Sequence, residues 1–168
     1  MRLTDRDRAI LRDAVRFGAL TVEQIARRRF GSVWTAYDRL KALATAGYLE
    51  LVRVWHGAPG VNVATPEGTR VAGVGLPPAR VTASTLAHHL AVADLAERLL
   101  AAHPGARWLT ERELRSDAMA AARDRASGRL LDGTPHVPDG VLVLPDGRRV
   151  AVELECSAKG GARYRTVL

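Results

Sequence analysis

The chain has 168 residues, 25 Lys and Arg against 18 Asp and Glu, a formal net charge of +7 and 47% hydrophobic residues. That length has room for a small domain plus one more modest one, with cores of Leu, Val and Ala because aromatics make up only 5%. A lone cysteine, Cys156, excludes an internal disulfide, the charged start MRLTDRDRAI excludes a signal peptide, and no apolar run approaches the ~20 residues needed to cross a bilayer, so a soluble, cytoplasmic protein with no membrane partner is expected.

Thr4 with Asp7 spells a capping-box start, and Ile10, Leu11, Ala14 and Val15 form a helical stripe that Gly18 stops. Thr21 with Gln24 repeats the pattern for a short second helix that turns Ile25 and Ala26 inward. Ser32 caps a third helix ending at Gly47, with Val33, Ala36, Leu40, Leu43 and Ala44 expected on its inward face. Trp34, Thr35, Asp38, Arg39 and Lys41 are then left facing outward. Tyr48 to Trp55 alternates as a strand, Gly57-Ala58-Pro59-Gly60 makes a turn, and Val61 to Ala64 returns.

This order of elements is that of a winged helix-turn-helix, a compact tool for reading duplex DNA. On that reading Trp34, Thr35, Arg39 and Lys41 face the major groove, Arg53 and His56 lie on the wing, and Arg27, Arg28 and Arg29 contact phosphates. Most of the positive surplus falls within residues 1–75, and a basic module gains affinity by displacing counterions from phosphates. Every basic residue except Lys41 and Lys159 is arginine, whose fork suits phosphates and guanine edges, although a GC-rich genome produces the same bias. Helix-turn-helix geometry also serves protein–protein contacts, so a docking role stays open.

Thr65-Pro66-Glu67 opens a short helix that ends near Gly73, with proline at its favoured first position. Gly75-Leu76-Pro77-Pro78 breaks regular structure, which sets the expected division: a DNA-binding domain over 1–75, a linker over 76–83 and a second domain over 84–168. A long helix from about Ser84 to Ala102 is apolar around much of its circumference, as in a helix sandwiched within a domain or shared with a second subunit. His88 and His89 point about 100° apart on that helix, so they cannot both join Asp94 as metal ligands on one face. A strand is expected at Trp108-Leu109, followed by Glu111 and Glu113, and then a polar, Ala- and Arg-rich surface segment over 116–133. Cys156 has no histidine near it in sequence and reads as a packing residue. Without a P-loop or dinucleotide fingerprint, no nucleotide partner is expected.

The remaining segment reads as a β-hairpin: His136 to Leu144, a turn at Pro145-Asp146-Gly147-Arg148, and Arg149 to Glu155. Asp139 stands at the start of one strand, and Glu153 and Glu155 share a side of the other. This arrangement resembles the core of the PD-(D/E)xK nuclease-like superfamily. The resemblance implies Asp139 and Glu153 as ligands of Mg²⁺ or Mn²⁺ and a catalytic set of Asp139, Glu153, Glu155 and Lys159. It departs from that pattern where Glu155 occupies the lysine position, so Lys159 would have to act from the following helix. A solvated acidic edge is the plainer reading of the same residues. The chain also stops inside the helix expected after the hairpin, so the second domain is expected to be partial.

Four stretches taken in order resemble the replication-relaxation family of plasmids and integrative elements: LTDRDRAILRDAVRFGALTVEQIARRRF, RLKALATAGYL, HHLAVADL and VAVELECSAKGGARY. The resemblance implies an α+β protein, a winged helix-turn-helix followed by a small, partial nuclease-like α/β domain, with a DNA-linked role in replication, transfer or gene control. The expected function is sequence-specific binding of double-stranded DNA, needing no cofactor. The second domain would serve dimerisation or extra DNA contact, and a homodimer is expected because paired modules read symmetric half-sites. The alternatives are a metal-dependent nuclease or nickase and a protein–protein adaptor.

Overall fold

In the computed structural model, residues 1–54, 59–125 and 136–156 are described, without the side chains of 122–125. Six helices and two small antiparallel sheets make a mixed α+β architecture over these residues.

Helix α1 (Asp5–Phe17) begins with a complete capping box between Thr4 and Asp7 and ends at Gly18, whose φ is 82°. Helix α2 (Val22–Arg29) repeats the device with Thr21 and Gln24, and the Ser32 side chain caps α3 (Val33–Thr45). Each cap supplies a partner to a first-turn N–H that the helix itself leaves open. Strands β1 (Leu49–Val52) and β2 (Val61–Ala64) pair antiparallel, Leu49 opposite Ala64 and Val52 opposite Val61. Strand β1 therefore ends at Val52, short of the Trp55 expected, and residues 55–58, which include Gly57 and Ala58 of the expected turn, lie outside the described residues. Strand β2 is buried along its whole length because Leu20 bridges its far side, exchanging backbone hydrogen bonds of 3.2 and 2.8 Å with Asn62.

Helix α4 (Pro66–Ala72) carries proline in its first turn and ends at Gly73 in the left-handed region. It lies so close to β1 that a Cβ on Gly68 would collide with the Tyr48 carbonyl. After an irregular stretch, helix α5 (Ala83–Ala102) leads into β3 (Arg107–Thr110) and α6 (Glu111–Arg125). Strands β4 (Gly140–Val143) and β5 (Arg149–Val152) complete a second sheet in the order β3-β4-β5, all antiparallel. The anticipated β4–β5 turn is present, with Leu144 donating to the Arg148 carbonyl at 2.8 Å and the Asp146 side chain accepting from the Arg148 N–H at 3.0 Å.

One apolar cluster unites Ile10, Leu11, Leu20, Ile25, Leu40 and Leu43 of the N-terminal helices with Val92, Ala93 and Ala96 of α5, Trp108 of β3 and Leu142 of β4. Polar ties reinforce the contact of α2 with α5: Gln24 Nε2 donates to the Leu90 carbonyl at 2.9 Å and Arg28 Nη2 to the Ala93 carbonyl at 2.7 Å. No helix among the described residues is long and apolar enough to cross a membrane.

Candidate functional site

Two regions carry groups that the fold itself does not consume: the outer face of α3, and a cleft between α5, β3 and the start of α6.

On α3, Ala36, Leu40 and Leu43 are buried, as their spacing requires. Val33, expected inward, is instead 44% exposed: it is the first residue of α3, and burial along this helix begins only at Ala36. Trp34 is 81% exposed and Tyr37, three residues on, is 52% exposed. Residues three apart on a helix share a face, so two aromatics stand out together. Thr35 and Lys41 are exposed beside them, and Arg53 is exposed just beyond β1. Tyr37 was absent from the residues picked by sequence, although its spacing from Trp34 carried the signal. His56 lies outside the described residues.

Arg39 turns back from that face. Its Nε donates to Asp7 Oδ1 at 2.6 Å and its Nη2 to Asp7 Oδ2, a two-pronged pairing with a carboxylate that has no exposed surface. Thr4 adds backbone and hydroxyl donors, both at 2.7 Å. Burial alone would raise the Asp7 pKa, but the bonds from Arg39 and Thr4 outweigh it and bring it down to about 2. The Arg39 fork therefore locks α3 to α1.

The Arg27–Arg29 triplet is engaged within the protein in the same manner. Arg27 meets Asp94 at 2.5 Å and Glu97 at 3.0 Å, both on α5. Arg28 is largely buried, its guanidinium 4.5 Å from the centre of the Phe17 ring, and burial lowers its pKa despite nearby acids. Arg29 meets Asp13 of α1 at 2.7 Å. The sequence points to these arginines as phosphate contacts; the protein partners of Arg29 and Arg27 lie 16 and 70 residues away.

In the second region, the register of β4 and β5 pairs Gly140 with Val152, so Asp139 and Glu153 stand opposite one another one step beyond. Each carboxylate is held by a histidine. Asp139 Oδ1 lies 2.8 Å from His88 Nε2 while its Oδ2 accepts the Leu154 N–H at 2.8 Å, and Glu153 Oε1 lies 2.6 Å from His136 Nε2. Cys156 Sγ lies 3.7 Å from His88 Nδ1, a proximity hidden in the sequence because 68 residues separate the two. Among the described residues, no group of three or more His, Cys, Asp or Glu side chains is placed to hold a metal ion. A histidine thus takes one oxygen of each of the two carboxylates, Asp139 and Glu153, implied for Mg²⁺ or Mn²⁺. Lys159, Arg163 and Arg165 lie outside the described residues.

Asp139 and His88 form one wall of a cleft of about 190 Å³ that also takes in Arg80, His89, Glu111 and Arg112. Burial pushes the His89 imidazole below its ordinary value of 6.5, leaving it neutral at pH 7. Glu111 is paired with Arg115 at 2.5 Å. Glu113 sits behind the cleft as a cap, accepting from the Thr110 N–H at 2.8 Å and from Arg16 Nε at 2.8 Å. Burial favours its neutral form, but these donors hold its pKa below the usual carboxylate range.

A family model described as Replication-relaxation matches residues 11–159. No curated protein and no solved structure matches the chain. The chain belongs to the replication-relaxation family, the one its four sequence stretches resemble, and membership associates it with replication on mobile elements.

Proposed function

We propose that this member of the replication-relaxation family is a sequence-specific double-stranded DNA-binding protein of a mobile element, reading its site with α3. The observation that carries the reading is the exposed aromatic pair Trp34 and Tyr37, flanked by Thr35 and Lys41, on a helix anchored to α1 through Arg39 and Asp7. Large aromatics left in water on a rigid helix favour a partner surface. The order α1, the Leu20 bridge, α2, α3 and the β1–β2 hairpin supports a winged helix-turn-helix, in which the third helix enters the major groove. Arg53, just beyond β1, then lies on the wing near the DNA backbone. Arg39 holds the reading helix in place, and Arg27, with half of its side chain exposed, is the member of its triplet nearest to a phosphate role. The division into a DNA-binding part over 1–75 and a second part over 84–168 belongs to the same reading, as does a homodimer that sets two α3 helices into adjacent half-sites.

The test is incubation of the protein with supercoiled plasmid at low salt, with and without Mg²⁺ or Mn²⁺, beside Asp139→Asn. The expected result is a gel shift for both proteins without cutting. Metal-dependent nicking lost in Asp139→Asn would replace the reading with a targeted nuclease using Asp139, Glu153, Glu155 and Lys159. No shift in any sample would leave α3 as a protein-docking face.

A further inference from the structure

The cleft holds an imbalance that the fold does not resolve. Arg112 donates from Nη2 to the Pro77 carbonyl at 2.5 Å, while its Nε is buried without any hydrogen-bond partner. Among the described residues no carboxylate pairs with it. Burial lowers its pKa, and no neighbouring acid offsets that cost. Arg80, exposed at the same cleft, has no ion pair among the described residues either. The acids of the cleft are already matched: Glu111 faces Arg115, and Asp139 is shared between His88 and the Leu154 N–H. His89 adds a neutral ring. Two arginines are thus left over in one concavity, one of them partly stripped of water.

A desolvated cation without a counter-charge is costly, and buried polar groups in folded proteins are nearly always satisfied. An anion with several acceptor oxygens would supply the counter-charge that both guanidiniums lack, because their planar forks match tetrahedral oxyanions. We propose that this cleft is a binding site for a phosphate group, held by Arg112 and Arg80 with a hydrogen bond from His89. Two sources present that chemistry: a backbone phosphate of duplex DNA leaving the α3 site, or a free phosphate ester. Only the first rests on the DNA-binding reading above.

The experiment is thermal unfolding of the full chain in increasing inorganic phosphate, against KCl at matched ionic strength. A ligand that binds only the folded state raises Tm in a saturable way, here by about 2–4 °C over KCl. That excess should vanish in Arg112→Gln and fall by at least half in Arg80→Ala. Equal responses in wild type and both variants would overturn the proposal, as would no excess over KCl in wild type. Should Arg112→Gln fail to fold, Arg80→Ala carries the test, since that side chain is exposed.

A second arm separates the sources. With duplex DNA, Arg80→Ala should reduce the slope of log affinity against log salt by about one if the phosphate belongs to the backbone. An unchanged slope, with the phosphate response still lost, assigns the cleft to a free phosphate ester. The first arm uses no DNA, so its failure and a failure of α3 to bind DNA are read independently.

Discussion

Asp7 is a carboxylate with no access to water, and such a charge persists only where donors surround it. Arg39 and Thr4 are those donors, so Arg39→Ala would strand the charge and should cost about 3 kcal/mol in urea unfolding at pH 7. A loss within about 0.5 kcal/mol, typical of an unconstrained surface position, would contradict this role. The same pair sets a pH dependence. Because the Asp7 pKa is lowered from 3.8 to about 2, the unfolded chain takes up its proton first as pH falls. The contribution, roughly 2 kcal/mol, is whole above pH about 4 and drains away as pH drops toward 2. Unfolding midpoints measured from pH 5 to pH 2 should show that loss, and show less of it in Arg39→Ala. Trp34 is the opposite case: standing in water, it can be cut to Ala with stability kept to within about 0.5 kcal/mol.

Elements are where the sequence was most readable, because their boundaries are set by local chemistry. Thr4 with Asp7, Thr21 with Gln24, Ser32 before α3, Pro66 in the first turn of α4 and Asp146-Gly147 in the β4–β5 turn all act over a few residues. Thr21→Ala should accordingly cost about 1 kcal/mol, read from the denaturation midpoint. The tertiary partners were not readable. Val33 kept the helical period of a core residue yet lies where no neighbour covers it. Arg27, Arg28 and Arg29 read from the sequence as phosphate contacts, and nothing local points to Asp94, Glu97 and the Ala93 carbonyl of α5 or to Asp13 of α1 as their partners. Gly140 is a further example: a Cβ there would enter the Trp108 indole, a demand that arises only when β3 and β4 are paired. Gly140→Ala should lower stability by about 1–3 kcal/mol through that overlap, measurable by thermal unfolding.

At the scale of the whole molecule, α5 joins the N-terminal helices to the second sheet. Its Val92, Ala93 and Ala96 enter the same cluster as Ile10 and Leu43 on one side and Trp108 and Leu142 on the other. A core shared in this way should unfold in one step, with far-UV circular dichroism and tryptophan fluorescence tracing the same transition; two separated transitions would show that the parts melt independently. The family was readable from the order of sequence stretches, whereas the seating of Asp139 against His88 depends on α5 packing beside β4. On the proposed reading, a stable scaffold presents α3 to duplex DNA. The most direct measurement is fluorescence anisotropy of labelled duplex over a salt series, with wild type, Trp34→Ala and Lys41→Ala compared at equal stability. If α3 reads duplex DNA, log affinity falls linearly in log salt, is weakened by about 1–3 kcal/mol in Trp34→Ala, and shows a smaller salt slope in Lys41→Ala. Duplex binding indifferent to both substitutions, or absent at low salt, would contradict it.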